Sequence, residues 1–311
     1  MEDRIITYGG QAVIEGVLMR GQKSLAIAMR NPKGEIVLHT EQLARVYRSG
    51  ITKLPFLRGV ILLWDALGLG MRALTISANT QTGEDEKLEG APLYLTMALS
   101  FAFGIGLFFL LPAMIGGWVE TFFHSSTGGG GGLPAPALQA IASSPGLWIG
   151  NLVEGVIKLA LLVGYIWAIG FMPDIRRLFG YHGAEHKTIN AYEAGAELTP
   201  ENVTKYPIQH ARCGTAFLLT LVLLSILVFT ALGPLPMLWR LTSRILLIPV
   251  LAGFAVEYIR WTANHLDNRI VQWMIKPNLA LQSLTTRDPD TQMLEVAIAS
   301  FQAMRQAENQ S

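Results

Sequence analysis

Four long apolar segments dominate the pattern of hydrophobic and polar positions along the chain. They cover residues 92–119, 146–172, 214–239 and 241–259, and a membrane-spanning helix requires about 20 mostly apolar residues. The third and fourth segments are separated only by the turn GPLPMLWR, which predicts a helical hairpin. The pattern therefore predicts a mainly α, polytopic membrane protein with about four transmembrane helices.

The residues before the first span have the pattern of a small α+β region. SLAIAMR and EIVLHT are two short β-type runs around a Pro/Gly turn, which predicts a hairpin over residues 24–40. Residues 52–78 are apolar with charges at Arg58, Asp65 and Arg72. A spacing of seven places these charges on one stripe of an amphipathic helix. The pattern leaves open whether this helix enters the membrane or packs on the soluble region.

These segments divide the chain into three parts. Residues 1–90 are predicted to form the cytoplasmic α+β region. Residues 91–270 form the membrane domain, which includes a cytoplasmic loop at 173–212. Residues 271–311 form a cytoplasmic C-terminal part with its own amphipathic helix.

The C-terminal helix has a start signal and an apolar face. Asp288 followed by Pro289 suits an N-cap with proline at the first helical position. The apolar positions that follow are Leu294, Ala297, Ile298, Phe301 and Met304. Their helical spacing predicts that the helix packs on its own domain.

The distribution of Lys and Arg predicts the orientation of the spans. The loop HSSTGGGGGLPAPALQAIASSP has neither residue, so we expect an external flexible linker. The loop at 173–212 contains Arg176, Arg177, Lys187, Lys205 and Arg212. It is predicted to be cytoplasmic together with both termini. Arg240 and Arg244 fall on the opposite side, where we expect their side chains to extend to the headgroups.

Composition supports the membrane assignment and excludes some partners. Charged residues make up 15% of the chain and hydrophobic residues 51%, whereas a soluble domain carries about 25% charged residues. The net charge of +1, without a basic helix, predicts no nucleic-acid partner. The single cysteine, Cys213, excludes an intrachain disulfide. The expected partner is the lipid bilayer, and a homo-oligomer or a membrane-protein partner is left open.

The segment GYHGAEHKTINAYEAGAE carries the strongest candidate chemistry. His182, Glu185 and His186 spell H-x-x-E-H, the inverted motif of a class of zinc proteases. Residues i and i+4 share a helix face, so both imidazoles can reach one divalent transition metal, with zinc as the candidate. Glu185 is then the general base that accepts a proton from a water at the metal. The alternative is a pair of interfacial histidines without a metal.

Further ligands must come from other parts of the chain. Glu193 lies on the same helix face, but about 10 Å along the axis, so we expect it to orient a histidine. HARCG offers His210 as the nearest extra ligand and Cys213 as a weaker one, for which a buried neutral thiol is the alternative. Glu257, near the cytoplasmic end of the fourth span, and the segment NHLDNR lie on the same side.

Two charged residues interrupt the second span. Glu154 lies in NLVEGVIKLALLVG, with Lys158 four residues later. Ionisable groups inside a membrane are expensive, so they are usually functional or paired. The order of Glu before Lys at i, i+4 predicts a simple ion pair.

The glycine-rich start, YGGQAVIEGVLMRG, invites comparison with phosphate-binding loops. It matches neither G-x-x-x-x-G-K-[ST] nor G-x-G-x-x-G, so its glycines are predicted to allow tight backbone turns. Gln11, Glu15 and Arg20 are the polar groups of this segment. They contact either the histidine helix or a ligand, with ordinary packing as the alternative.

Four motifs follow one another along the chain: GGQAVIEGVLMRG, YHGAEHKTINAYE, HARCGTAFLL and LTTRDP…LEVAIA. Together they resemble the bacterial YqhQ-like family, catalogued as domain of unknown function 1385. The resemblance covers about residues 9–300 and implies a membrane protein and a metal-dependent enzyme. Gln22 stands where the family has proline, and Met293 where it has glutamine. The matching motif positions are Gly9, Gly10, Gln11, Glu15, Gly16, Met19, Arg20, His182, Glu185, His186, Lys187, Tyr192, Glu193, His210, Arg212, Cys213, Gly214 and Thr215.

Two classes of function follow from these observations. The first is a membrane-bound, metal-dependent hydrolase, in which the H-x-x-E-H face meets His210 in a cytoplasmic pocket with an open metal position. The second is a non-enzymatic scaffold or assembly factor, whose histidines are satisfied by one another or by water. A channel or transporter ranks lower, because few polar side chains lie in the middle of the spans.

Overall fold

The computed structural model describes residues 8–44, 54–82, 90–126, 145–233, 235 and 237–310. Most of the predicted external linker lies outside these residues. Four strands, β1 to β4, cover Gly9–Val13, Gly16–Arg20, Ser24–Arg30 and Ile36–Gln42. The first helices are α1 (Leu57–Gln81) and α2 (Ala91–Ile105), and α2 continues through a π-helical turn, Gly106–Leu110, into α3 (Leu111–Ser126). The remaining helices are α4 (Pro145–Ile169), α5 (Pro173–Glu193), α6 (Pro200–Val203), α7 (Gly214–Leu232), α8 (Met237–Ala263), α9 (Arg269–Met274), α10 (Lys276–Thr285) and α11 (Thr291–Asn309).

The four strands form one antiparallel sheet in chain order. The predicted hairpin is confirmed as β3 and β4, with Ser24 opposite Gln42 and Arg30 opposite Ile36. The first hairpin, formed by β1 and β2, was not predicted from the sequence. Gly9, Gly10 and Gly16 lie within its strands, so they do not form the expected turns. The turn itself has Glu15 at φ 52°, in the left-handed region.

The two faces of the sheet pack against helices from different parts of the chain. Because side chains alternate along a strand, Val17, Met19, Ala26 and Ala28 face a core that contains the apolar side chains of α5 and α11. Leu18, Leu25, Ile27 and Met29 face the other way, toward Leu69, Ala73 and Leu74 of α1. Strands β2 and β3 are therefore buried on both faces, and the sheet lies between two helical layers.

Helix α11 confirms the predicted apolar face and corrects its start. Leu294, Ala297, Ile298, Phe301 and Met304 are all buried in the core beneath the sheet. The N-cap is Asp290, whose side chain accepts the Met293 N–H at 2.8 Å. Asp288, the expected N-cap, instead lies 3.3 Å from Lys187. The helix begins two residues later because Asp290 can reach a free amide of the first turn.

Four helices in the described part of the chain are long and apolar enough to cross a membrane. They are Ala91–Val119, Gly150–Ile169, Gly214–Leu232 and Thr242–Ala263, in agreement with the four predicted segments. Large apolar side chains on them face outward, including Leu227, Ile245 and Leu246, each at least 66% exposed. An apolar outer surface of this kind suits a lipid environment.

The charges in the spans are paired with one another. Lys158 donates to Glu154 at 2.7 Å, as predicted from the i, i+4 spacing. Arg244 of α8 also donates to Glu154, at 2.5 Å, and its side chain is only 8% exposed. The expected extension of Arg244 to the headgroups is therefore wrong, because a carboxylate on α4 holds the guanidinium inside the helix bundle.

Candidate metal site

The histidines lie on α5, a helix with clear start and stop signals. Pro173 is at its first position and Asp174 is in its first turn, where proline and negative charge both favour a helix start. After the helix, Gly195 adopts φ 74°, a left-handed conformation that ends a helix without strain. Most of the helix from residue 179 to 191 is buried. The motif is therefore held on a rigid, packed element.

His182 and His186 point their rings in the same direction, as the i, i+4 spacing predicts. Their ring centroids are 4.4 Å apart. His182 Nδ1 lies 2.9 Å from the carbonyl oxygen of Thr285, at the end of α10. His186 Nδ1 lies 2.6 Å from the carbonyl oxygen of Ile208, in the loop before α7.

These two contacts define the tautomers. A carbonyl oxygen only accepts hydrogen bonds, so each Nδ1 must carry a hydrogen. In a neutral ring, each Nε2 then presents a lone pair. Metal-binding histidines typically have this arrangement, with one nitrogen donating to a backbone or carboxylate oxygen and the other free for the metal.

Cys213 completes a group of three potential ligands with His182 and His186. Its Sγ lies 3.2 Å from His182 Nε2, and the ligand atoms of the three residues all lie within 4.8 Å of one another. Cys213 is the N-cap residue of α7, where its sulfur also accepts the Thr215 N–H.

The group fits a zinc ion by its chemistry and approximate size. Zinc binds imidazole nitrogen at about 2.0–2.1 Å and thiolate sulfur at about 2.3 Å, so tetrahedral ligand atoms lie about 3.5 Å apart. The observed separations, from 3.2 Å up to 4.8 Å, require only small side-chain movements. Three protein ligands with a fourth position open is the pattern of catalytic zinc, whereas structural zinc has four protein ligands.

Glu185 lies beside this group but faces the sheet. It is 4% exposed and accepts the backbone N–H of Gly10 in β1. Burial raises the pKa of its carboxyl group to about 7, while the neighbouring His182 ring and the Gly10 amide oppose that rise. A carboxyl group with this pKa can hold or release a proton near neutral pH.

Gly10 allows this contact because it has no side chain. A Cβ at this position would lie 2.9 Å from the Glu185 side chain and 2.5 Å from the carbonyl oxygen of Leu18. Gly9, next to it, has open space around the same position. The glycine that the sequence analysis assigned to a turn therefore allows β1 to approach the histidine helix closely.

His210 forms a neighbouring pair instead of joining the three-residue group. Its ring centroid is 5.8 Å from that of His186, and its Nε2 lies 3.6 Å from Glu193. Arg212 also pairs with Glu193. Burial raises the pKa of Glu193, but His210 and Arg212 outweigh burial and lower it overall. Glu193 thus contacts His210, whereas Cys213 supplies the potential ligand atom that lies 3.2 Å from His182 Nε2.

The loop that carries His210 and Cys213 is fastened to α5 and α10. The buried Lys187 ammonium donates to the carbonyl oxygens of Thr204 and Tyr206, both at 2.8 Å. On α10, the Gln282 side chain pairs with the backbone of His210, accepting its N–H at 3.0 Å and donating to its carbonyl at 2.9 Å. These bonds fix the backbone that places Cys213 beside His182.

The other predicted polar residues have partners outside the three-residue group. Glu15 pairs with Arg177 of α5 at 2.6 Å, and the Gln11 amide lies against Gly70 of α1. Arg20 lies in β2, opposite Gly9 and Leu25. Glu257 pairs with Arg58 of α1, and His265 Nδ1 lies 2.7 Å from the carbonyl oxygen of Trp261.

Three groups at the site were missed by the sequence analysis: the carbonyls of Thr285 and Ile208 and the amide of Gly10. Backbone groups carry no residue-type signal, so spacing alone cannot identify them. One indirect signal existed for Thr285, which lies within the segment LTTRDP that contributed to the family resemblance.

Comparison with known proteins agrees with that resemblance. A family model described as "Protein of unknown function (DUF1385)" matches residues 54–307. The protein described as "Uncharacterized protein YqhQ" from Bacillus subtilis is 33% identical over 318 residues, which cover 97% of this chain and 93% of that protein. No solved structure matches the chain. The chain therefore belongs to the DUF1385 family.

Proposed function

We propose that the protein is a metal-dependent hydrolase of the bacterial inner membrane, with its site at the cytoplasmic face. The observation that carries the proposal is the group of His182, His186 and Cys213, whose ligand atoms all lie within 4.8 Å of one another. Both histidine tautomers suit metal binding. Cys213 immediately precedes the span that begins at Gly214, so the site is at the membrane boundary.

Each residue has a distinct role in this proposal. His182, His186 and Cys213 hold the ion, which we expect to be zinc because a mixed imidazole and thiolate set suits that metal. When bound, such an ion supplies a Lewis acid that polarises a carbonyl or phosphoryl oxygen. Glu185 accepts a proton from the attacking water at its carboxylate, and the Gly10 amide holds that carboxylate in place.

A non-enzymatic scaffold, in which the histidines and Cys213 satisfy one another without a metal, is the second candidate. It is favoured by burial, since His186 is 1% exposed and Glu185 is 4% exposed. It is also favoured by the direct contact of His182 with Cys213. The two candidates differ in metal binding and in the need for Glu185.

Metal content of the detergent-purified protein is the first test that separates the two candidates. We expect about one equivalent of zinc by inductively coupled plasma mass spectrometry, lost in the His182→Ala/His186→Ala double variant. His39→Ala is the matched control, because His39 lies on β4 and contacts Glu41. A folded wild-type protein that is purified without chelator and binds no zinc, cobalt or manganese would overturn the proposal.

The identity of the third ligand is tested by comparing Cys213→Ser with His210→Ala. After cobalt substitution, the wild type should show a thiolate-to-cobalt charge-transfer band. That band should disappear in Cys213→Ser and persist in His210→Ala. Absence of the band in the cobalt-loaded wild type, together with loss of cobalt binding in His210→Ala, would move the third ligand to His210.

Glu185→Gln separates the hydrolase from the scaffold. We expect the variant to fold and retain its zinc but to lose hydrolysis of the ester, phosphoester or peptide substrate that the wild type cleaves. Loss of zinc from Glu185→Gln would contradict the base role. Unchanged hydrolysis in this variant would exclude Glu185 from the chemistry, and no hydrolysis by zinc-loaded wild type across all three substrate classes would favour the scaffold.

A further inference from the structure

Helix α1 joins the sheet at one end and the fourth span at the other. From its middle onward, α1 packs through Leu69, Ala73 and Leu74 against the sheet face opposite α11. Near its N-terminal end, it packs along α8 through Gly59, where a Cβ would lie 2.6 Å from Gly253 Cα. Such close approach between small residues is typical of helix pairs inside membranes.

The contact with α8 lies at the middle of the fourth span. That span covers Thr242–Ala263, so Gly253 is eleven residues from one end and ten from the other. Ten helical residues rise about 15 Å, which is half of the roughly 30 Å hydrocarbon thickness. Gly59 is therefore at the depth of the bilayer midplane.

The position of the sheet agrees with this depth. Leu69, which packs beneath the sheet, is ten residues after Gly59 along α1, again a rise of about 15 Å. Ala263, at the end of the span, is the same number of residues from Gly253. These equal rises fit a sheet at the membrane surface and a start of α1 inside the bilayer.

The polar groups at the start of α1 are satisfied within the bundle. Glu257 of α8 accepts the Phe56 N–H at 3.1 Å and the Arg58 Nε–H at 2.6 Å. A helix start leaves unpaired N–H groups that lipid cannot satisfy. The carboxylate supplies an acceptor at that depth, and the guanidinium balances its charge. This accounts for an acidic residue inside an apolar span.

The outer side of the same segment is apolar and exposed. Leu57 is 52% exposed, Val60 39% and Trp64 74%. The surface is continuous with the outward-facing residues of α8, because Phe56 and Phe254 contact each other with ring centroids 4.7 Å apart. Phe254 is itself 50% exposed.

We propose that the N-terminal half of α1 is a re-entrant membrane helix, which starts at the bilayer midplane against Gly253 and returns to the sheet side, with lipid acyl chains covering its outer face. The chain would then contact the membrane through four full spans and one half-span. This resolves the choice that the amphipathic pattern of residues 52–78 left open.

Depth measurement by spin labelling tests the proposal in the full chain, reconstituted into phosphatidylcholine and phosphatidylglycerol vesicles. Single cysteines are placed at Val60 and Trp64 in a Cys213→Ser background. Val250→Cys on α8 and Leu38→Cys on the sheet are the lipid-facing and water-facing references, since both native side chains are exposed. Collision with oxygen reports lipid, and collision with a soluble nickel complex reports water.

We expect the Val60 label to match Val250, with high oxygen and low nickel accessibility, and the Trp64 label to lie about 6 Å nearer the surface. Equal, shallow depths at both positions would show a helix on the membrane surface and overturn the proposal. Nickel accessibility like that of Leu38 would place the helix in water, with the same consequence. Low accessibility to both reagents would show a protein partner or a second copy on this face, which also overturns it.

A second measurement uses the wild-type chain and does not depend on the folding of variants. Lipids that carry a photoactivatable diazirine at the end of the acyl chain generate a carbene near the bilayer midplane. We expect mass spectrometry to find adducts on Leu57 or Val60 as well as on α8. Adducts on α8 without any on residues 54–64 would refute the re-entrant helix.

Discussion

At the scale of single residues, Gly10 is a sensitive contact between the sheet and the candidate site. Gly10→Ala should displace Glu185, because the added Cβ would lie 2.9 Å from that buried side chain. Overpacking of this kind costs about 1–3 kcal/mol. We expect a lower apparent Tm of the detergent-solubilised protein, followed by tryptophan fluorescence.

Gly9→Ala is the matched control for this prediction. It makes the same chemical change one position earlier in β1, where nothing lies within 4 Å of the new Cβ. Its apparent Tm should stay near the wild-type value. Equal effects of the two substitutions would show that Gly10 matters only through its backbone and not through its contact with Glu185.

Glu15 gives a pH-dependent prediction at the same scale. Its carboxylate accepts two bonds from Arg177, both at 2.6 Å, and one from Tyr181 at 3.1 Å. Arg177 lowers the pKa of Glu15 below its ordinary value of 4.5, against the effect of burial. The carboxylate therefore stabilises the fold above the unfolded-state pKa, and this contribution is lost as the pH falls through the lower folded-state pKa.

The measurement compares the wild type with Glu15→Gln across pH. We expect the wild type to have the higher apparent Tm at pH 7. The difference in the free energy of unfolding should be about 1 kcal/mol or less, because Arg177 is half exposed. The difference should vanish in acid, below the folded-state pKa. A difference that persists in acid would mean that the glutamine strains the turn, where φ is 52°, and not that an ion pair was lost.

At the scale of elements, the charges between α4 and α8 predict an asymmetric response to substitution. Glu154 pairs with both Lys158 and Arg244. Glu154→Gln removes the carboxylate that both cations share inside the bundle, which costs about 3–5 kcal/mol. Arg244→Gln leaves the neutral Glu154–Lys158 pair. We expect a large loss of monodisperse protein for the first substitution and a smaller loss for the second.

Size-exclusion profiles and apparent Tm values measure this asymmetry. Ser225→Ala, on α7, is the control, since the Ser225 hydroxyl bonds only locally to the carbonyl oxygen of Val222 among the contacts described. If Arg244→Gln is as damaging as Glu154→Gln, the two charges act as one network and the neutral pair is not enough to support the helices.

The elements that could be predicted from sequence depend on local properties. The spans were predicted because length and hydropathy are properties of each segment alone. The hairpin of β3 and β4 was predicted because its runs alternate around a Pro/Gly turn. The hairpin of β1 and β2 was missed because three glycines lie within its strands, where glycine is usually depleted.

Contacts between distant segments could not be predicted in the same way. The spacing of His182 and His186 placed both rings on one face correctly. The order of the further ligands was not predictable, because the 3.2 Å approach of Cys213 to His182 depends on how α7 begins. The pairing of Arg244 with Glu154 likewise joins residues 90 positions apart.

At the scale of the whole molecule, the two ends of the described chain form one unit beside the membrane. The sheet comes from residues 9–42 and α11 from residues 291–309. Ser300 of α11 lies buried with its hydroxyl 2.9 Å from the carbonyl oxygen of Val17. Helix α5, which carries the histidines, contributes Tyr181, Ala184 and Ile189 to the same core. The site is therefore supported by segments from before, between and after the spans.

Removal of α11 should therefore unfold the soluble unit while the spans stay in the membrane. A chain that ends at Asp288 would expose the sheet face lined by Val17, Met19 and Ala26, which packs in the same core as Leu294 and Phe301. We expect limited proteolysis in vesicles to cut this chain within residues 8–44 and 173–213, while fragments with the spans remain membrane-bound. A chain that ends at Asn309 keeps all of α11 and should resist like the wild type. Equal resistance of the two truncated chains would show that the sheet and α5 hold together without α11.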